Sequence, residues 1–142
     1  MSDTFFQKSE ELKRKFTSFH SQEERYAALI ELGKSLPAYP KELKTKENMV
    51  SGCQSTLYLN AFLQDDKIFF QACSEALISA GLAAILLHVY NGESPQTLLT
   101  CPPKFLADLG IIGALSPARS NGLAHIHLRM KQLSLKMIME LV

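Results

Sequence analysis

Cys53 is the residue of this chain best placed to do chemistry. It stands in Met49-Val50-Ser51-Gly52-Cys53-Gln54-Ser55-Thr56-Leu57-Tyr58-Leu59, where an apolar step runs into a glycine and the thiol follows at once. A strand-like alternation begins shortly after. Without a Cβ, Gly52 lets the backbone turn sharply and lets another chain come close. Gln54 and Ser55 bring polar hydrogens beside the sulfur. Free cysteine is among the most buried residue types, but a thiol on a tight turn at the root of a strand suits sulfur chemistry better than core filling. An unassisted thiol is only a few per cent thiolate at neutral pH. Reactivity here therefore calls for a cationic or hydrogen-bond-donating neighbour.

Arg119 is the candidate neighbour. It lies in Leu115-Ser116-Pro117-Ala118-Arg119-Ser120-Asn121-Gly122-Leu123, in the first turn of a helix that Ser116-Pro117 opens. The helix dipole favours acids at that end, so a cation there points to a commitment elsewhere: the Cys53 loop, a carboxylate or a protein surface. A solvent-facing arginine is the plain alternative. Metal binding has little support. Cys53, Cys73 and Cys101 show none of the close pairs of structural zinc sites. His125 and His127, two apart on a helix, project to different sides, and His88 reads as a core histidine of an apolar helix. Cys73 and Cys101 carry no motif and read as structural thiols. No glycine-rich nucleotide signature and no hydrolase elbow occurs.

The elements that must position these residues follow from patterning. The chain has 142 residues, 46% hydrophobic and 20% charged, as expected of a single globular domain spanning 1–142. Fifteen Lys+Arg against 14 Asp+Glu leave a net charge of +1, which argues against nucleic acid or a membrane surface as partner. The longest apolar run, Ala80–Leu87, is too short to span a bilayer. The first residues lack a secretion signal, and three widely spaced cysteines do not suggest a disulfide framework, so a cytoplasmic setting is expected.

Phe5, Phe6, Leu12, Phe16 and Phe19 mark one face of a first helix. Ser21 and Glu24 form a capping box for a second, which Pro37 stops. After a polar connection, Leu57, Leu59, Ala61 and Leu63 alternate with Thr56, Tyr58, Asn60 and Phe62. An Asp65-Asp66 turn and the run 67–72 complete a hairpin, with Met49-Val50 as a third short strand. Ser74 is expected to cap a long apolar helix reaching about Tyr90. Shorter helices follow at Ser94-Pro95 and Pro102-Pro103, then the terminal helix, with Leu123, Ile126, Met130, Leu133, Met137 and Met139 or Leu141 on its buried side. The order is α+β: a small three-stranded antiparallel sheet packed against helices.

Several of these segments together resemble the SufE family of sulfur acceptors, over nearly the whole length. They are Tyr26-Ala27-Ala28-Leu29-Ile30-Glu31-Leu32-Gly33-Lys34-Ser35-Leu36-Pro37, Val50-Ser51-Gly52-Cys53-Gln54-Ser55, Ala80-Gly81-Leu82-Ala83-Ala84, Thr97-Leu98 and the stretch Leu115–Leu123. The Gly-Cys-Gln-Ser loop combined with Ser-Pro-Ala-Arg-Ser-Asn-Gly-Leu is the specific part. The resemblance implies an accessory sulfur-transfer protein, not an enzyme, with a fold similar to that of the U-type iron–sulfur scaffolds. Cys53 matches the acceptor of persulfide sulfur from a PLP-dependent cysteine desulfurase of the SufS or CsdA kind, which the protein also stimulates. A downstream iron–sulfur scaffold then receives the sulfur. Gly52, Gln54 and Ser55 match the supporting loop, Arg119 an arginine near the desulfurase-facing loop, and Glu75 a position usually acidic. No resident cofactor is implied, since the PLP belongs to the partner, and a homodimer is left open. Two departures stand out: Tyr58 where many members carry tryptophan, and Cys73 at a position often acidic. The rival readings are an iron–sulfur or zinc scaffold built on the three cysteines, and a regulator of a desulfurase that carries no sulfur.

Overall fold

In a computed structural model, residues 3–53 and 55–140 are described. Helices α1 (Asp3–Thr17) and α2 (Gln22–Lys34) lead into a mostly irregular connection. A hairpin of β1 (Leu57–Gln64) and β2 (Lys67–Ser74) follows, then α3 (Leu77–Tyr90), α4 (Pro95–Thr100) and α5 (Pro117–Glu140). The Ser21 cap forms as expected, its Oγ accepting from Glu24 N, while Glu24 Oε1 reaches back to His20 N, one residue before the cap, rather than to Ser21 N. The hairpin turns through Asp65 and Asp66, both at positive φ (54° and 63°). That is a two-residue turn whose twist matches the strands it joins.

The sheet has two strands, not the three expected. Met49 makes one isolated antiparallel bridge to Tyr58. A 3₁₀ turn over Lys46–Asn48 ends just before it and Gly52 turns just after it, leaving too little extended backbone for a strand. Other boundaries also move. Ser74 belongs to β2: its hydroxyl donates to Thr56 O and accepts from Ala76 N, while Ala76 occupies the N-cap of α3 with no side-chain bond. His88 is exposed, not a core residue, and Met139 is 66% exposed. Leu141, the other candidate at that position, lies outside the described residues.

Helix α3 is the centre of the molecule. From Ser79 to Leu87, and again at Val89 and Tyr90, every residue is buried, which explains its unbroken apolar run. It packs against α2, β2, α1 and α5. The crossing with α2 is close because glycines face each other. A Cβ on Gly33 would lie 2.7 Å from Gly81 N, and one on Gly81 would overlap the Leu29 carbonyl. The inner face of the hairpin (Leu57, Leu59, Ile68, Phe70, Ala72) closes onto the same core as Phe5, Phe16, Leu29, Ile126 and Met130. Helix α1 is fastened to the sheet edge through buried Glu93. Its carboxylate takes Lys8 Nζ at 2.9 Å and the Thr4 hydroxyl at 2.6 Å, while its backbone pairs with Ile68.

Candidate functional site

The Cys53 loop is closed at its base by backbone. Val50 N donates to Leu57 O (2.9 Å), so the loop carrying Cys53 leaves and returns between a buried valine and a buried leucine. The incoming arm is held from outside by Arg129 of α5, whose guanidinium donates to the carbonyls of Met49 and Glu47. At the turn Gly52 has φ +84°. A Cβ there would overlap the imidazole of His125, one turn along α5 from Gly122. Glycine is required twice over, by dihedral and by space.

The thiol points inward. Cys53 is half-buried, and its Sγ lies 3.9 Å from Gly122 O. Ser79, Leu82, Ala118, Arg119, Gly122, Leu123 and Ile126 close around it. The space left over is about 10 Å³, barely room for one water. Gly122 allows this approach: a Cβ on it would lie 3.8 Å from Sγ. Burial pushes the thiol pKa up from the ordinary cysteine value, with no cation acting against it. Its hydrogen-bond partner is the Gly122 carbonyl, which accepts from S–H and gives a thiolate nothing. In this position the sulfur is stored rather than activated.

That arrangement has a measurable consequence. A half-buried thiol whose pKa is raised ionises less readily in its cavity, so its alkylation is governed by loop opening as well as by pH. The pH midpoint for alkylation of Cys53 is expected to lie higher in the folded protein than in the urea-denatured chain. Peptide-resolved mass spectrometry over a pH series measures both midpoints, and an equal or lower folded value contradicts the inward placement.

Arg119 reaches this cavity, but its donor goes elsewhere. Nη1 donates to Ser79 Oγ at 2.6 Å, and Ser79 Oγ lies 3.2 Å from Ser55 Oγ. The guanidinium therefore joins the loop through a buried serine of α3. The backbone N–H of Arg119 is capped by Ser116 Oγ, as the Ser-Pro start of α5 leads one to expect. Ser79 was not legible as a site residue; its signal is a small hydroxyl in an apolar helix, which burial obliges to find a partner. Ser55 is brought to the site, whereas Gln54 lies outside the described residues. Glu75 is exposed between β2 and α3, where its charge acts on Cys73.

The other thiols are placed apart. Cys73 is half-buried opposite Tyr58, which stacks on Tyr39 with 6.1 Å between centroids. Burial raises its pKa, Lys44 opposes this and Glu75 adds to it. Cys101 is buried, and its carbonyl accepts from Tyr90 OH. His125 and His127 do point apart. His127 stacks on Tyr90, and burial lowers its pKa to about 4. Among the described residues no three His, Cys, Asp or Glu side chains converge as a metal site would need, and no helix is long and apolar enough to cross a membrane.

The SufE family model, described as the Fe-S metabolism associated domain, matches residues 10–134. The sulfur acceptor protein CsdE of Escherichia coli is 37% identical over 117 residues, which cover 81% of this chain and 80% of that one. An uncharacterized SufE-like protein of Synechocystis is 34% identical over 112 residues, 79% of this chain and 70% of its own. SufE-like protein 1, chloroplastic/mitochondrial, of Arabidopsis thaliana is 32% identical over 120 residues, 84% of this chain, which spans only 32% of that protein's length. Among solved structures, the solution structure of a hypothetical protein from Thermus thermophilus superposes with a TM-score of 0.78 at 25% identity, over 93% of this chain and 96% of that one.

Proposed function

We propose that this chain, which belongs to the SufE family, is a sulfur acceptor that takes persulfide sulfur onto Cys53 from a PLP-dependent cysteine desulfurase. The observation that carries this reading is a single thiol at the tip of a backbone-closed loop, turned into a cavity it nearly fills. The name of the Escherichia coli relative, a sulfur acceptor protein, supports it.

The chemistry is an exchange at sulfur. The Cys53 thiolate attacks the outer sulfur of the desulfurase persulfide, Enz–S–SH. One S–S bond forms as another breaks, and the desulfurase cysteine leaves as a thiolate. The hydrogen travels with the transferred sulfur, so Cys53–S–SH results with no external oxidant or reductant. The chain's own part is to hold the thiol and then present it. Inward placement keeps a species that is easily reduced or over-oxidised away from solvent. It also imposes a cost, because the loop must turn outward before attack. The desulfurase, of the SufS or CsdA kind, is the partner expected to draw it out. An iron–sulfur scaffold in the same cytoplasm is the expected recipient, and no resident cofactor is needed. Catalysis lies with the partner, and this chain reacts stoichiometrically.

Intact-protein mass spectrometry tests the reading. After incubation with a PLP desulfurase and cysteine, without reductant, the chain is expected to gain the mass of one or more sulfur atoms. The gain should map to Cys53 and reverse with dithiothreitol. No gain beside a demonstrably active desulfurase from the same source overturns it.

A further inference from the structure

Buried serines in this protein show what a helical hydroxyl ordinarily does. Ser9 Oγ donates to Phe5 O and Ser134 Oγ to Met130 O, each at 2.8 Å and each within its own helix. Ser79, also buried, departs from that habit. Its hydroxyl turns away from α3 to accept from Arg119 Nη1 of α5 and to meet Ser55 of the loop. It also lines the cavity that holds the Cys53 sulfur. One buried hydroxyl thus joins three elements around that sulfur.

We infer that Ser79 is the positioning residue of the Cys53 loop: its hydroxyl, fixed in rotamer by Arg119, holds Ser55 and so keeps the thiol turned into its cavity. The bond from Arg119 is charge-assisted, the stronger kind. Without that bond Ser79 is free to rotate back to a carbonyl of its own helix, as Ser9 and Ser134 do, and Ser55 loses its anchor. The consequence for sulfur transfer rests on the acceptor reading above, but the positioning itself does not.

The test uses the isolated full chain and iodoacetamide, with alkylation of Cys53 and Cys73 followed separately by peptide mass spectrometry. Ser79→Ala is expected to speed Cys53 about fivefold, the change that loss of the one neutral hydroxyl–hydroxyl bond to Ser55 gives, and to leave Cys73 unchanged. Ser79→Thr, which restores a hydroxyl, is expected to return Cys53 close to the wild-type rate. Ser134→Ala, which also removes a buried helical hydroxyl, should move neither cysteine. Arg119→Ala added to Ser79→Ala should give no further acceleration, because the two act as one unit. An unchanged Cys53 rate in Ser79→Ala overturns the inference. So does a parallel rise at Cys73, a threonine variant as fast as the alanine one, or additive acceleration in the double variant. These rates need no desulfurase, so their failure is distinguishable from a failure of sulfur to reach Cys53.

Discussion

Replacing Cys53 with serine is expected to abolish both the sulfur-derived mass gain and the stimulation of a partner desulfurase. Cys73→Ala is expected to preserve both. Serine is nearly isosteric, and the loop is closed by Val50 and Leu57 backbone rather than by the thiol, so the fold has no reason to change. What is lost is the nucleophile, since an alcohol at neutral pH presents no thiolate-like attack on an S–S bond. Cys73 cannot replace it. That thiol faces Tyr58 on the hairpin, its pKa is also raised, and no loop is available to carry it outward. Stimulation measured alongside mass gain separates the acceptor from a regulator that carries no sulfur. A Cys53→Ser chain that still stimulates at wild-type level, while gaining no sulfur, would move the function into the docking surface and leave Cys53 a passenger. Binding of the serine variant to the desulfurase is the control, because lost stimulation with intact binding assigns the defect to chemistry.

Much of this arrangement was legible because the sequence marks it locally. The Asp65-Asp66 turn, the Ser21 cap and the Ser116-Pro117 helix start all formed where their chemistry placed them. The Gly52-Cys53 turn was readable for the same reason. The third strand was not, because whether Met49-Val50 extends or merely bridges depends on how much backbone two neighbouring turns leave, and that is settled in three dimensions. Ser74 looked like a cap, but its hydroxyl bonds Thr56 across the hairpin, a partner 18 residues away that no local pattern announces. The same limit hid Ser79. Arg119 was readable as a cation out of place, yet its partner lies 40 residues earlier, a lone serine in the apolar first turns of α3. Local rules located the nucleophile and the cation, while the serine joining them emerged only from packing.

Gly52→Ala is expected to destabilise the closed loop severely, through two separable effects. The first is backbone strain. A non-glycine residue held at the φ of +84° found there costs about 1–3 kcal/mol. The second is overlap of the new methyl with the His125 imidazole. Both penalties fall on the closed state, and the loop can escape them by turning outward. Global unfolding is therefore a blunt measure here, since the loss it registers is capped at the free energy of loop closure. Cys53 alkylation is the sharper one. A penalty of about 2 kcal/mol predicts acceleration of about thirtyfold in the variant, with Cys73 unmoved. His125→Ala supplies the partition: combined with Gly52→Ala, it removes the overlap but leaves the dihedral strain. The double variant is thus expected to alkylate at a rate between wild type and Gly52→Ala. Full rescue would mean that the overlap alone selects glycine, and no rescue would mean that the dihedral does. A Gly52→Ala chain whose Cys53 reacts at the wild-type rate would contradict the inward seating itself. With it would go the account of why this thiol is shielded until a partner arrives.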